Sequence, residues 1–428
     1  MKHLRQLFGS RGGNPGQYGM IIALILIIAI FEGLTHGLTL NPTNVINVFQ
    51  QYCYILILAL GMVMVIIAGH IDLSVGSVAA FVGIIVAQAM SEWHWDWWQA
   101  VLLGLVIGAL VGAWQGFWVA FVRVPAFIVT LAGQLIFRGA NQLIGNSTSV
   151  AVPDDYQQIG GGFIPDFGPN TGFSNGTLIL GLVTIAALIW VEARGRARRR
   201  KMRAELPPLW VSVVRTGILV LVTLIGTYLF AAGSAGTSFP IVAIITGILT
   251  ILYGFITRNT VFGRQVYAVG GNANAAALSG VNIRKVNFFV MANMSLLAAV
   301  AGMVYVGYAG ASGPADGTGW ELDAIAAVFV GGAAVSGGIG TVAGSIVGAL
   351  VMALLANGLQ LINVESNLQQ IIRGLVLLLA VAFDVYSKTQ GRPSLIGNMF
   401  NQFRRREGEP AEAVQPQSID DQTKVSLP

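Results

Sequence analysis

His70, Asp72, Arg138, Glu321, Asp323 and Asp384 are ionisable side chains at or inside long apolar runs. A charge at the centre of a membrane helix costs at least ~2.5–3.5 kcal/mol on insertion scales, so such groups usually pair or line a wet cavity. Asp72 and Ser74 follow one apolar run and open the next, which is how N-cap residues read. Glu321 and Asp323 stand where another run begins. They read either as first-turn acids that complement the helix dipole or as polar groups at an outward-facing mouth. A proton relay is the alternative chemistry for the same set.

Other chemistry finds no residues to carry it. The stretch GGIGTVAG (337–344) matches the GxGxxA fingerprint of dinucleotide sites, but it lies in a Gly/Ala/Val run with no βαβ unit around it. No GxxxxGK[ST] loop occurs, so the chain offers no phosphate cradle for ATP. The one cysteine, Cys53, can form no internal disulfide. No catalytic residue, metal site or cofactor is expected.

The elements that position these residues follow from composition. Hydrophobic residues make up 55% of the 428-residue chain and charged residues 10%, too few to cover a soluble protein of this size. The net charge of +5 could suggest a nucleic-acid partner. The placement of the basic residues argues instead for one side of a membrane, so no nucleic acid is expected.

A spanning helix needs about 20 mostly apolar residues. Candidates fall at 18–38, 52–69, 73–90, 98–122, 125–144, 177–191, 209–231, 239–257, 286–308, 322–336, 341–362 and 368–387. The segment 322–336 is short and followed by a Gly-rich bend, which predicts a broken or re-entrant helix. The fold class is all-α: a polytopic transmembrane helical bundle of about 10–12 spans. With the N-terminus inside, 21 of the 24 Lys and Arg residues fall on cytoplasmic segments, as the positive-inside rule demands. The organisation is a cytoplasmic N-terminus (1–17), a membrane domain (18–387) with basic cytoplasmic loop 192–208, and a polar tail (388–428) expected to be disordered in the cytosol. Both termini are expected in the cytoplasm.

Gly104, Gly108, Gly112 and Gly116 recur every four residues, as do Gly340, Gly344 and Gly348. Small residues at this spacing let membrane helices approach closely, a packing signal. The inward loop 258–285 is polar and Gly-punctuated, with an Ala-rich centre at 273–278 and Gly280 as its stop. It predicts a short cytoplasmic helix and, since long structured loops tend to be functional, a docking surface for a cytoplasmic partner.

Four segments, HIDLSVGS (70–77), VPAFIVTLAG (124–133), YAVGGNANAAALSGVNI (267–283) and ELDAIAAVFVGGAAVSGGIGTVAGSIVGA (321–349), resemble the permease subunits of bacterial ABC importers for simple sugars, the xylose, ribose, arabinose and galactose group. The resemblance covers about residues 18–387, and the helix pair around 194–203 is most similar to the xylose type. It implies an inner-membrane permease working as a pair, two ABC ATP-binding subunits below, a periplasmic sugar-binding protein above, and contact with membrane lipid. It implies that Gly270, Gly271, Asn272, Ala275, Ala276, Ser279 and Gly280 dock the ATPase as a coupling helix. Many relatives carry Arg where Ala277 stands here. Asp72, Ser74, Glu321 and Asp323 are the candidates for the translocation pathway or gate. The alternatives are an ion-coupled secondary transporter and an ABC permease for branched-chain amino acids.

Overall fold

Residues 15–169, 172–202, 208–234 and 236–389 are described by a computed structural model, and they are almost wholly helical. Helix α1 spans Pro15–Leu34 and α2 Pro42–Ile67. The run expected at 52–69 thus starts earlier than its apolar residues suggest. Asn41 caps it, its side chain accepting from Thr43 N, and Pro42 takes the first turn where a missing N–H costs nothing. The polar residues that lower its hydropathy are matched across the fold. Asn44 exchanges hydrogen bonds with Asn357 at 2.9 and 3.0 Å, and Gln50 donates to Gly161 O at 2.9 Å. Helix α2 is apolar nearly all round and accordingly sits at the centre of the bundle.

Helices α3 (Val75–Ser91) and α4 (Trp97–Phe117) follow, the latter ending in a π-helical turn over Trp118–Val122. Helix α5 covers Ala126–Ile144, and a two-residue strand β1 (Val150–Ala151) leads into α6 (Asp154–Gly161). Helix α6 lies in a stretch that reads as plain loop. It is held because Tyr156 donates to Met303 O at 2.9 Å and Gly160 lets its backbone approach Val304 and Tyr308.

Helices α7 (Asn175–Lys201) and α8 (Leu209–Ala231) pack chiefly on each other and leave apolar faces exposed, as lipid-facing helices do. The basic segment expected as loop 192–208 is helical through Lys201, and residues 203–207 lie outside the described set. Alanine and arginine favour helix, and the cations Arg198–Lys201 in the last turn complement its dipole.

Helix α9 (Ile241–Asn259) is followed by α10 (Val261–Gly271), α11 (Ala273–Leu278) and α12 (Ile283–Ala309). The stretch expected as loop 258–285 with one short helix therefore holds two. Thr260, Asn272 and Asn282 each cap the next start by accepting from Gly263, Ala275 and Lys285 N. Gly280, at φ +84°, ends α11 in the left-handed region open to glycine.

Strand β2 (Ala311–Ser312) pairs antiparallel with β1. Helix α13 (Trp320–Val330) has 11 residues, about 16 Å at 1.5 Å per residue and half of a bilayer core. The short segment foreseen at 322–336 is thus a half-helix. It turns through 331–341 into α14 (Val342–Leu361), and α15 covers Ser366–Thr389. Gly331 meets Gly344, and Ala327 O meets Gly348, so α13 and α14 lie back to back. Gly340 stands in the turn before α14, not on the helix with Gly344 and Gly348.

Among the described residues, eight helices are long and apolar enough to cross a membrane, and three shorter apolar ones accompany them. The described residues up to Tyr386 form one compact unit; of 387–428, only the end of α15 is described, so the tail expected over 388–428 lies outside from residue 390 on.

Candidate functional site

The depth of the two helix breaks comes from α12. Ala79 lies against Gly302, and Gly83 against Val306, so α3 runs parallel to α12. Gly61 faces Met294 and Leu297, so α2 runs beside the same stretch. Helix α3 therefore begins near the middle of α12, and the break 68–74 lies inside the bundle. Helix α4 packs along α12 through its glycines. Added Cβ atoms at Gly104, Gly108, Gly112 and Gly116 would fall 2.5 to 2.8 Å from Met303, Ala299, Ala292 and Phe288.

At the break, Asp72 and Ser74 do something other than capping. Ser74 holds the N-cap position of α3 but makes no side-chain capping bond. It turns back instead, donating to Asp72 Oδ1 from its N (2.8 Å) and its Oγ (2.6 Å). Gln115 Nε2 on α4 donates to Ser74 Oγ at 2.7 Å, and Ser295 Oγ on α12 donates to Gln115 Oε1 at 3.3 Å. A buried polar chain thus ties the break to two neighbouring helices. A bare helix N-terminus needs such partners, and a carboxyl group also stands nearby. Glu321 Oε2 lies 2.8 Å from where a Cβ on Gly76 would stand, beside the first turn of α3.

Glu321 and Asp323 both fall in the first turn of α13, as expected of dipole-matching acids, but they face different neighbours. Glu321 accepts from Gln134 Nε2 on α5 at 3.0 Å. Asp323 pairs with Arg373 of α15 at 3.3 Å and accepts from the Tyr54 hydroxyl at 3.5 Å. Tyr54 in turn stacks on Trp320, ring centroids 4.0 Å apart. The structure therefore brings Asp72, Ser74 and Glu321 together and sends Asp323 to a separate pair. Asp72 Oδ2, Ser77 Oγ and Glu321 Oε2 are buried without a hydrogen-bond partner among the described residues. Arg138 donates to Asp316 O at 2.6 Å and Thr318 Oγ1 at 2.9 Å, holding the turn that leads into α13. Gln115, Gln134, Ser295 and Arg373 do not stand out among the sequence candidates. Their signal was a polar side chain in an otherwise apolar helix.

The stretch from α10 to α11 holds Gly270, Gly271, Asn272, Ala275, Ala276, Ser279 and Gly280 at one end of the bundle. Ala276 faces inward and is buried, whereas Leu278 is 91% exposed. Gly270 and Gly271 close α10 as helical residues and form no tight turn. Gly270 is required for a different reason. A Cβ there would lie 1.6 Å from Ile67 O, at the end of α2. Beside α11 a cavity of about 820 Å³ opens between the break (His70, Ile71), the turn after α4 (Arg123, Val124), the start of α5 (Phe127) and the start of α12 (Arg284, Asn287).

A polytopic helical membrane protein with broken helices meeting in its interior is the architecture of a permease. Residues 44–381 match the family of branched-chain amino acid transport system permease components, and the chain belongs to that family. It is similar to the xylose transport system permease protein XylH of Haemophilus influenzae, 36% identical over 383 residues, covering 89% of this chain and 99% of that protein. XylH of Escherichia coli K12 is 38% identical over 382 residues, 89% and 94% of the two chains. The ribose import permease protein RbsC of E. coli K12 is 33% identical over 365 residues, 85% and 92%. No solved structure matches the chain.

Proposed function

We propose that this chain is the membrane-spanning permease subunit of an ATP-driven importer in the bacterial inner membrane, forming the pathway for a monosaccharide, xylose or a related sugar. The observation that carries this reading is the similarity to xylose and ribose permeases over most of both chains, which favours sugar over branched-chain amino acids. The chain itself is a transport subunit and hydrolyses nothing. Its partners are an ABC ATP-binding subunit, a periplasmic sugar-binding protein and a second copy of itself, in a lipid bilayer with both termini cytoplasmic.

The geometry suits that role. The α10–α11 stretch presents small residues and an exposed Leu278 to a cytoplasmic partner. Closure of the ATP-binding subunits would move α10, and the bundle would rock between outward- and inward-open states. Asp72, Ser74 and Glu321 lie at the meeting point of the half-helices, where an opening pathway would expose them, and the cavity beside Arg123 and Arg284 gives the sugar a route inward. Helix breaks of this kind also occur in ion-coupled carriers.

The deciding experiment replaces Leu278, the most exposed side chain of the docking helix, with Glu, which puts a charge on the face offered to a partner without touching the permease's own packing. The ATP-binding subunit should no longer co-purify and labelled xylose should no longer accumulate, while the permease reaches the membrane in normal amount. Full uptake without bound ATPase would identify an ion-driven carrier.

A further inference from the structure

Three backbone segments touch at the end of α10. Gly270 lies against Ile67 O, and its absent Cβ would also fall 2.8 Å from Gly338 N. Gly338 N donates to Ile67 O at 2.8 Å. Gly338, at φ +72°, in turn lies so close to Gly271 that a Cβ would stand 2.7 Å from its Cα. Side chains are excluded from this junction, so the end of α2, the end of α10 and the 331–341 turn meet as bare backbone. One side chain adds to it. Tyr267 on α10 donates its hydroxyl to Gly340 O at 2.8 Å. Among the described residues this is the one side-chain hydrogen bond between α10 and that turn. Burial pushes the Tyr267 phenol above its ordinary value, which keeps it a proton donor at neutral pH.

Each arm of the junction leads to the buried polar centre. From Ile67 the chain runs through a short break to Asp72 and Ser74. From Gly331 it runs back along α13, a single short rod, to Glu321. The two arms converge again where Gly76 meets Gly317. Close-packed backbone transmits displacement without slack, because interiors are dense and little compressible.

We propose that Tyr267 is a positioning residue for transport: it fastens the docking segment to the 331–341 turn, so that movement of the ATP-binding subunit reaches both broken helices at once. This rests on the reading of 258–285 as the docking segment. Tyr267 touches neither sugar nor nucleotide in this scheme. It sets how much of each ATP-driven movement arrives at Asp72 and Glu321.

The test uses the complete transporter, with its ATP-binding subunit and sugar-binding protein, reconstituted in liposomes with labelled xylose. Tyr267→Phe removes only the hydroxyl. ATP-binding subunit and ATP hydrolysis should be retained, while xylose moved per ATP falls about fivefold, the size expected from one lost hydrogen bond. Tyr253→Phe is the control, since Tyr253 gives its hydroxyl to Asn293 away from the junction. It should leave the ratio unchanged. An unchanged ratio in Tyr267→Phe, an equal fall in the control, or loss of the ATP-binding subunit from Tyr267→Phe would each overturn the proposal. If Leu278→Glu keeps the ATP-binding subunit bound, the docking reading itself fails. If Leu278→Glu releases it but Tyr267→Phe keeps the ratio, only the coupling role fails.

Discussion

Gly76 and Gly317 face each other backbone to backbone: a Cβ on either would stand 2.1 or 2.0 Å from the other's carbonyl oxygen. This crossing joins the first turn of α3 to the turn that feeds α13, and it holds Glu321 against Asp72's half of the break. Gly76 has an ordinary helical conformation, so the requirement is one of space alone. Gly76→Ala should therefore sharply reduce xylose uptake and lower the melting temperature of the purified protein. Leu102→Ala, on an exposed face, should change neither by much. Wild-type uptake in Gly76→Ala would show that the two half-helices need not touch.

The glycine row on α4 makes a second, separate prediction. Gly112 lies against the Ala292 backbone, with a virtual Cβ 2.6 Å from its carbonyl. Leucine there must push α4 and α12 apart, since neither backbone can yield locally. Gly112→Leu should abolish stable expression in the membrane, measured by fluorescence-detected size-exclusion chromatography. A monodisperse peak at wild-type height would count against the close packing.

The Asp323–Arg373 pair predicts a rescue. Asp323 is almost fully buried and Arg373 is 28% exposed. Removing one partner of a buried pair costs ~3–5 kcal/mol, an upper range here because Arg373 reaches solvent. Arg373→Gln alone should lower the melting temperature markedly, and adding Asp323→Asn should recover most of it. A double variant as unstable as the single one would mean that the pair's charges do not compensate each other.

Topology is open to direct labelling. Asp155 on α6 and Leu278 on α11 are both exposed, at opposite ends of the bundle. In a Cys53→Ser background, a membrane-impermeant thiol reagent added to intact cells should label Asp155→Cys and spare Leu278→Cys. The reverse pattern would invert the orientation that the basic residues imply.

Much of this protein follows from local chemistry. The scarcity of charge makes it a membrane bundle, and the side on which Lys and Arg gather sets the expected orientation. Asn272, a run of alanines and Gly280 specify α11 almost to the residue, because a cap, a propensity and a stop all act within one turn. The same holds for α13, whose shortness is a matter of length alone.

Other features depend on partners far away in the chain, and no window reveals them. Helix α2 extends back to Pro42 because Asn44 finds Asn357 and Gln50 finds Gly161. Gly270 reads as a turn residue, yet it is helical and glycine is needed only because Ile67 O presses on it. Glu321 and Asp323 are alike in sequence, two residues apart on one helix, and the fold gives one to Gln134 and the other to Arg373. Ser74 occupies a capping position but bonds Asp72, since Gln115 is there to hold its hydroxyl. Hydropathy and helix signals act over a few residues, whereas buried polar groups are satisfied by whatever the tertiary structure brings within about 3 Å.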